Sequence, residues 1–384
     1  MSADAAVRTD RVTELAASLI QCDTQNPPGG EQPVVEPLFA TLRELGAEVE
    51  IFEPEPGRPS VLARVGNGEG PTLLVNGHID VVPVSEADWS VPPFGGLVRD
   101  GLLYGRGACD MKGGIAAALE GLHACRDAGI TPPADLVFHF VADEETGGRA
   151  GTEALVAAGL VHADAAVVPE PSELLVGVAE RGSLMAEIAV RGRAGHGSDP
   201  AAGHSAIADA ARIVSALHLA DFGDGEHPLL GTPTANVGTI AGGTAANIVA
   251  AECRLRVDRR VLPDQTRDEA LAAVTGLIDA AGEFDYTAEV VAFAEGSELD
   301  AGHAFVTEVR RAAGDASVRG LKLGTDARFL RNSLGIPTVV YGPGSMTVAH
   351  TADEYVPVAD LVTAARTFAR LYASFDGVSS HDAG

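Results

Sequence analysis

The sequence predicts an α/β fold with a central mixed sheet in a larger domain and a smaller inserted α+β domain. The chain has 384 residues, which exceeds the usual size of a single core, so two domains are expected. Apolar residues make up 46% of the chain and aromatic residues only 5%, a composition that fits a globular α/β protein better than a disordered or fibrous one. Short apolar runs alternate with segments of helical periodicity, which predicts strands and helices in succession.

Charge and composition exclude several classes of partner. The formal net charge is −27, which argues against binding to nucleic acid or to an anionic membrane surface, because both favour Lys and Arg. No stretch reaches the roughly 18 apolar residues of a membrane helix, and the charged N-terminal segment lacks a signal-peptide core. The four cysteines form no CxxC motif, as expected in a reducing compartment. We therefore expect a cytoplasmic protein that binds neither nucleic acid nor membrane.

The first and last parts of the chain, residues 1–179 and 294–384, predict one discontinuous domain. Apolar residues recur at helical spacing near the N-terminus and again from Lys112, where the pattern stops at Gly129. Short apolar runs predict strands buried on both faces. The predicted elements are helices at 10–21, from 112 to Gly129, around 304–313 and at 358–374, and strands at 72–75, 136–141, 165–168 and 338–341.

The pattern changes at about residue 180, and residues 180–293 predict the inserted domain. Apolar and polar residues alternate at the start of this block, as in a strand with one buried face. Antiparallel strands with helices on one face would form a small α+β domain. The predicted elements are an alternating strand around 185–190, a helix at 206–217 and strands at 235–240 and 252–261.

Polar side chains follow three of the predicted strands of the larger domain. The residues are His78 and Asp80 after the first strand, Glu144 and Glu145 after the second, and Glu170 after the third. Open α/β sheets place ligand sites beyond the carboxyl ends of their strands, so these side chains are expected to meet. A chance scatter of acidic residues would not follow this rule.

His78 and Asp80 form a His-x-Asp pair whose chemistry suits a metal site. Imidazole nitrogen and carboxylate oxygen are ligands of catalytic zinc. The His78 imidazole would bind the metal while the Asp80 carboxylate accepts its other ring N–H. For an isolated pair, a buried histidine beside a solvated aspartate is the commoner arrangement, but the position at a strand end favours the metal site.

Asp110 lies in the glycine-rich segment GRGACDMKGG, just before a predicted helix. Gly113 and Gly114 allow close approach of the backbone, and a carboxylate at this position could bridge two metal ions. Taken alone, Asp110 could equally cap the helix.

Glu144 and Glu145 are adjacent acids in the segment ADEETGG. Neighbouring side chains at a strand end point apart, so one could bind metal while the other reaches a water molecule. A solvated acidic loop is the commoner interpretation of such a pair.

Four segments, NGHIDVVP, GRGACDMKGG, ADEETGG and GPGSMTVAHTADEY, together resemble the M20 family of metallopeptidases and deacylases. They occur in the family's order and cover nearly the full chain. The branch that they resemble contains acetylornithine deacetylase and succinyl-diaminopimelate desuccinylase. The resemblance implies a zinc-peptidase-like catalytic domain, an inserted lid or dimerisation domain, and a homodimer.

The resemblance also implies a cofactor of two divalent metal ions, with zinc expected and cobalt or manganese as alternatives for the same nitrogen and oxygen ligands. Asp110 would bridge the two ions. The residues that would complete the two sites are His78 and Glu170 for one, and Glu145 and His350 for the other.

The resemblance assigns Glu144 the role of general base and makes Asp80 the partner of His78. Two metal ions would activate a water molecule and polarise the amide carbonyl. Glu144 would take the proton of that water and pass it to the leaving amine.

Four further residues resemble the family's substrate-binding positions. His196 in RGRAGHGSDP corresponds to a histidine that reaches an active site across the dimer and helps to hold the oxyanion. Asn247 in GGTAANIV and Arg260 in DRRVLP resemble lid residues that bind substrate, Arg260 through a carboxylate. Arg259 competes for that role, since a shift of one residue exchanges the faces of a strand. Arg328 in GTDARFL is a second candidate for carboxylate recognition, with an ordinary salt bridge as the equal alternative.

The combined evidence predicts a di-zinc amidohydrolase that cleaves the amide bond of N-acyl amino acids, as acetylornithine deacetylase or succinyl-diaminopimelate desuccinylase would. A dipeptidase or carboxypeptidase acting on a short peptide is the main alternative. A carbamoyl-amidase is disfavoured by Glu170, where that type more often has histidine. A non-catalytic metal-binding homologue would have lost the base or a ligand, and all of these residues are present.

Overall fold

The computed structural model describes residues 1–378 of the chain. The helices within this range that concern the fold are α1 (Thr9–Ile20), α2 (Gln32–Glu44), α3 (Lys112–Asp127), α4 (Thr152–Ala157), α5 (Ala206–Leu217), α6 (Arg267–Ala281), α7 (Ala304–Ala312) and α8 (Val358–Ser374). The strands are β1 (Glu48–Phe52), β2 (Ser60–Val65), β3 (Thr72–His78), β4 (Leu97–Arg99), β5 (Leu102–Tyr104), β6 (Asp135–Val141), β7 (Ala165–Val168), β8 (Val176–Glu180), β9 (Gly182–Arg191), β10 (Ala235–Gly242), β11 (Glu252–Val261), β12 (Asp285–Ala294), β13 (Ser297–Glu298), β14 (Val318–Leu321), β15 (Thr338–Val340) and β16 (Tyr355–Pro357).

The chain divides into two compact units. The first contains Met1–Val178, Leu299–Arg319 and the chain from Thr325 onward, and the second contains Ala179–Glu298 and Gly320–Gly324. The second unit therefore continues beyond the predicted limit at residue 293, because β13 pairs antiparallel with the last residues of β8, Ser297 opposite Glu180. A two-residue strand has no periodicity from which a sequence could predict it.

A central mixed sheet forms the core of the first unit, as predicted. Its strand order is β1-β2-β6-β3-β7-β15-β8. Strands β6, β3, β7 and β15 run parallel to one another, whereas β2 pairs antiparallel with both β1 and β6, and β8 pairs antiparallel with β15. The parallel strands are buried on both faces, which explains why they are continuous apolar runs in the sequence. Helices α3 and α8 pack against each other, and α3 is buried along nearly its whole length.

A four-stranded antiparallel sheet with the order β10-β11-β9-β12 forms the second unit. Alternate residues of β9 and β11 are buried, and α5 and α6 contribute to the same apolar core. The sequence predicted α5 with its observed limits but missed α6. A capping box starts α6, in which the Thr266 hydroxyl accepts the Glu269 N–H and the Glu269 carboxylate accepts the Thr266 N–H. This T-x-x-E pattern was the available signal.

None of the helices within residues 1–378 is long and apolar enough to cross a bilayer.

We expect one histidine of the central sheet to make the fold sensitive to acid. His139 in β6 is 3% exposed, and its Nδ1 atom has no hydrogen-bond partner within the described part of the chain. Burial lowers the pKa of His139 to about 4. Between pH 4 and the ordinary histidine pKa of about 6.5, His139 is protonated in the unfolded chain but not in the folded chain. The free energy of unfolding therefore falls as the pH falls through this range. The loss should approach about 3 kcal/mol at the acid end.

The measurement is the free energy of urea unfolding at several pH values for the wild type and His139→Phe. The free energy of unfolding is plotted against pH for each protein, and the difference between the two slopes gives the contribution of His139. His162→Gln, which changes an exposed histidine, is the control and should keep the wild-type slope. If His139→Phe had the same slope as the wild type, the protonation of His139 would not change on unfolding.

Candidate metal centre and active site

The predicted ligands meet at one edge of the central sheet. Strand β3 ends at His78, Glu144 and Glu145 follow β6, and Glu170 follows β7. Strands β6, β3 and β7 are adjacent and parallel, so their carboxyl ends lie side by side. The strand order thus brings together His78 and Glu170, which are 92 positions apart in the sequence.

Asp110 connects two groups of potential ligands. One carboxylate oxygen, Oδ1, lies 3.0 Å from His78 Nε2, which is also 3.3 Å from Glu170 Oε1. The other oxygen, Oδ2, lies 3.3 Å from His350 Nε2, which is 3.1 Å from Glu145 Oε2. Within each group the ligand atoms lie within 4.8 Å of one another. A carboxylate shared in this way is placed to bridge two metal ions.

The charge balance of this pocket fits two divalent cations. Burial and repulsion from Asp110 raise the pKa of Glu170 to about 8. Hydrogen bonds to Asp110 and Glu145 raise the pKa of His350 to about 10. In the protein alone, therefore, protons supply the positive charge that buried carboxylates require. Glu145 Oε1 is also buried without a hydrogen-bond partner in the described residues, as expected of an oxygen that binds a metal.

The backbone around Asp110 does not use its carboxylate as a helix cap. The residue that precedes α3 is Met111, and no side chain caps the helix there. Gly114 in the first turn is required by close packing, because a Cβ atom at this position would lie 1.9 Å from the carbonyl oxygen of Pro169. The start of α3 thus lies directly against the residue that precedes Glu170. The Asp110–Met111 peptide bond is cis.

Glu354, to which the sequence analysis assigned no role, holds the loop that carries Asp110. Its side chain is fully buried, and its Oε1 atom accepts backbone N–H groups from Gly107, Cys109 and Asp110 at 2.9–3.1 Å. Its Oε2 atom pairs with Arg106 at 2.5 Å. The segment VAHTADEY contains Glu354, but no local pattern distinguishes it from an exposed acid.

Asp80 holds His78 through a different atom than predicted. The His78 Nδ1 atom lies 2.9 Å from the carbonyl oxygen of Asp80 and 3.5 Å from its carboxylate, so the expected bond to the carboxylate is corrected to one with the carbonyl. The carboxylate instead accepts the backbone N–H groups of Glu144 and Glu145 at 3.2 and 3.1 Å. Asp80 therefore supports His78 and the acidic turn at once.

Glu144 is the acid of this turn that belongs to neither ligand group. Its side chain is 13% exposed, and its Oε1 atom lies 4.0 Å from Arg328 Nη1. No hydrogen bond is donated to its carboxylate from the described residues. Burial raises the pKa of Glu144 well above its ordinary value, and repulsion from neighbouring carboxylates adds to this effect. The carboxylate is thus free to exchange a proton with a molecule in the pocket.

Arg328, a predicted substrate-binding residue, makes two contacts to the backbone. Its Nη1 and Nη2 atoms donate to the carbonyl oxygens of Thr325 and Gly147 at 2.9 and 3.2 Å. The guanidinium also lies 4.3 Å from the centre of the Phe329 ring. Arg328 thus supports the turn that follows Glu144, and its role toward a substrate carboxylate stays a prediction.

His196 and Asn247 lie in the second unit, in two segments that contact each other. The Asn247 carbonyl accepts the Gly197 N–H at 2.8 Å, and His196 pairs with Ile248 in an isolated β-bridge. His196 Nδ1 lies 2.8 Å from the Ser198 hydroxyl. Both predicted residues are exposed beside a cavity of about 610 Å³ that these segments line.

The structure distinguishes the two arginines that competed for one role. Arg259 is fully buried, where it donates to the Ala270 carbonyl and pairs with Asp224 at 2.5 Å. Arg260 instead lines a cavity of about 640 Å³ in the second unit, together with Arg181 and Lys322. Arg181, which the sequence analysis missed, is 5% exposed. The Arg260 side chain is 35% exposed and pairs with Asp258 at 3.2 Å, and its role toward a substrate stays a prediction.

A family model described as peptidase family M20/M25/M40 matches residues 74–374, most of the chain. This protein belongs to that family. The resemblance inferred from the sequence is thereby confirmed. As a member of the M20 family, this protein is a metallohydrolase.

Two relatives of similar sequence match nearly the whole chain. An acetylornithine deacetylase from Myxococcus xanthus is 36% identical over 362 residues, which cover 90% of this chain and 92% of the relative. An N-formyl-4-amino-5-aminomethyl-2-methylpyrimidine deformylase from Bacillus subtilis is 30% identical and covers 92% of each chain. Both relatives are named for removing an acyl group.

Solved structures show the same fold at low identity. An M20 family metallo-carboxypeptidase from Sulfolobus solfataricus superposes with a TM-score of 0.79 at 18% identity and covers 95% of this chain and 99% of the other. A dinuclear metal-binding M20 peptidase from Bacillus subtilis superposes with a TM-score of 0.70 at 17% identity, covering 95% and 97%. The central mixed sheet and the separate smaller sheet are thus features of the M20 fold.

Proposed function

We propose that this M20 enzyme cleaves the amide bond of an N-acyl amino acid. The observation that carries the proposal is the pair of ligand groups joined by Asp110, beside a partly buried glutamate, Glu144, that belongs to neither group. The acetylornithine deacetylase and deformylase relatives support deacylation as the reaction. Zinc is the proposed metal, with cobalt or manganese as alternatives, because all three bind nitrogen and oxygen ligands.

The proposed mechanism assigns one task to each residue of the pocket. Two divalent ions held by the ligand groups would supply Lewis acidity and lower the pKa of a water molecule. Glu144 accepts a proton from this water as its oxygen adds to the amide carbon. Glu144 then donates the proton to the amide nitrogen, the C–N bond breaks, and the acid and the amine are released. Asp80 keeps the His78 ring in place throughout.

The second unit is proposed to recognise the substrate. Its cavity is lined by three basic residues, Arg181, Arg260 and Lys322, and one acid, Glu226, and this net positive charge favours a carboxylate. Burial and the neighbouring Arg260 lower the pKa of Arg181, so an anion would relieve an unfavourable concentration of positive charge. The family resemblance further suggests that the 180–293 domain serves as a lid and dimerisation domain, that His196 helps to hold the oxyanion across a homodimer, and that the enzyme is cytoplasmic.

Hydrolysis of a substrate panel tests the proposed function. The panel contains N-acetyl, N-succinyl and N-formyl amino acids, including N-acetylornithine, and a set of dipeptides. Each N-acyl amino acid is paired with the N-acyl amine that lacks its carboxylate. We expect turnover of an N-acyl amino acid by zinc- or cobalt-loaded enzyme, loss of turnover with a chelator, and at least about tenfold lower kcat/KM for the amine without the carboxylate.

Other outcomes of the panel distinguish the alternatives. Preferential turnover of dipeptides would replace deacylation by peptidase activity. No turnover by the metal-loaded enzyme across the panel would contradict the proposed substrate class.

A further inference from the structure

The acidic turn that carries Glu144 and Glu145 is organised by the residue before it. Asp143 has a positive φ of 71°, and its carbonyl accepts the N–H groups of Thr146 and Gly148. Its carboxylate accepts the Ala150 N–H at 3.0 Å through Oδ2 and the Thr146 hydroxyl at 2.5 Å through Oδ1. The position of both glutamates therefore depends on where the Asp143 side chain is held.

Arg58 holds that side chain from outside the metal pocket. Its Nη2 atom donates to Asp143 Oδ1 at 2.8 Å. The Nε and Nη2 atoms of the same guanidinium also donate hydrogen bonds to the carboxylate of the fully buried Glu31, at 2.9–3.1 Å. Gly29 lies against the guanidinium, where an added Cβ atom would be 2.8 Å from its central carbon. Arg58 is thus enclosed in one orientation between two buried carboxylates.

Asn26 extends this arrangement to the residues that hold the metal pocket. Its Nδ2 atom lies 3.2 Å from Asp143 Oδ1, 3.0 Å from the Thr146 hydroxyl and 2.8 Å from Asp80 Oδ2. Asp80 in turn accepts the N–H groups of both glutamates of the turn. Two carboxylates, Asp80 and Asp143, therefore hold the turn from opposite ends, and Asn26 fixes the distance between them.

We propose that Arg58 is a positioning residue of the metal centre, which sets the Glu144–Glu145 turn through Asp143. Without the Arg58 guanidinium, Glu31 and Asp143 would be buried carboxylates that repel each other. The turn would then shift together with Asp143. The inference rests on the proposed function, because it assigns Glu145 the role of metal ligand and Glu144 that of base. Outer partners of metal ligands commonly change metal affinity or activity by about 10–100-fold when they are replaced.

The test compares Arg58→Lys with Arg11→Lys in the full chain. Arg11 is a close match, because it also donates two N–H groups to a fully buried glutamate, Glu120, at 2.5 and 2.9 Å. Its partners, Glu120 and Asp127, lie outside the acidic turn. Metal-free protein is titrated with Zn²⁺ by calorimetry, and kcat and KM are measured on the best substrate of the panel. We expect Arg58→Lys to bind one of the two Zn²⁺ equivalents about 10–100-fold more weakly and to lose kcat by a similar factor. KM should change by less than about threefold, since substrate binding is not altered.

Arg11→Lys should keep both Zn²⁺ affinities and kcat within about twofold of the wild type. Wild-type affinities in Arg58→Lys would overturn the inference, as would an equal loss in Arg11→Lys. If Arg58→Lys does not fold, Arg58→Met combined with Glu31→Gln leaves no unpaired charge on Glu31. This variant should show the same weakened Zn²⁺ equivalent, and wild-type affinity in it would overturn the inference. Because the Zn²⁺ titration needs no substrate, it decides the role of Arg58 even if the panel contradicts the proposed function.

Discussion

Replacing Glu144 with Gln is expected to lower kcat by roughly 10²–10⁴-fold while the protein still binds two metal ions. The amide of glutamine has nearly the shape of the carboxylate but cannot accept a proton from water at neutral pH. Glu144 belongs to neither ligand group, so the metal sites keep their donors in this variant. The loss should therefore appear in kcat and not in metal content.

The measurement combines steady-state kinetics with metal analysis of the purified variant. Glu153→Gln is the matched control, because Glu153 is an exposed glutamate in the helix that follows the same turn. It should keep wild-type kcat. If Glu144→Gln hydrolysed substrate at the wild-type rate, Glu144 would not be the base. If it lost metal instead, Glu144 would be a ligand.

Replacing Asp110 with Asn should remove binding of at least one of the two metal ions and nearly all activity. Asp110 is the residue that both ligand groups share, and a neutral amide cannot balance two cations as the carboxylate does. Lewis acidity supplies several kcal/mol to reactions of this kind, and a loss of about 4 kcal/mol corresponds to about a thousandfold in rate. We therefore expect kcat/KM to fall by about a thousandfold or more.

Thermal unfolding with and without chelator gives a second measurement for Asp110→Asn. A ligand at about 100 times its Kd stabilises a folded protein by about 3 kcal/mol, so chelation should lower the stability of the wild type. The variant should have lost most of this sensitivity. Asp100→Asn, at an exposed position with a positive φ that asparagine tolerates, should behave as the wild type. Two metal ions bound to Asp110→Asn at wild-type affinity would contradict the bridging role.

Most of the candidate site could be predicted from the sequence, because each ligand lies beside a local pattern with a physical meaning. His78, Glu145 and Glu170 lie at the ends of short apolar runs that predict buried strands, and the carboxyl ends of parallel strands meet at one edge of a sheet. Asp110 lies before two glycines, one of which is required by the close contact with Pro169. These patterns, together with the order of the four motifs, predicted the fold class, the candidate ligands and the family.

Other features depended on contacts between residues far apart in the chain. The bond of the Asp110 N–H to Glu354 joins positions 244 residues apart, and that of Arg58 to Asp143 joins positions 85 apart. Neither Glu354 nor Arg58 has a sequence neighbourhood that marks it as buried. The difference in burial between Arg259 and Arg260 likewise depends on the strand register, because adjacent residues of a strand face opposite sides. The sequence alone determined which side chains can bind metal, since strand ends and glycine turns are local properties. Only the tertiary structure decided which residues hold those side chains in place, because burial and charge pairing arise when distant segments pack together.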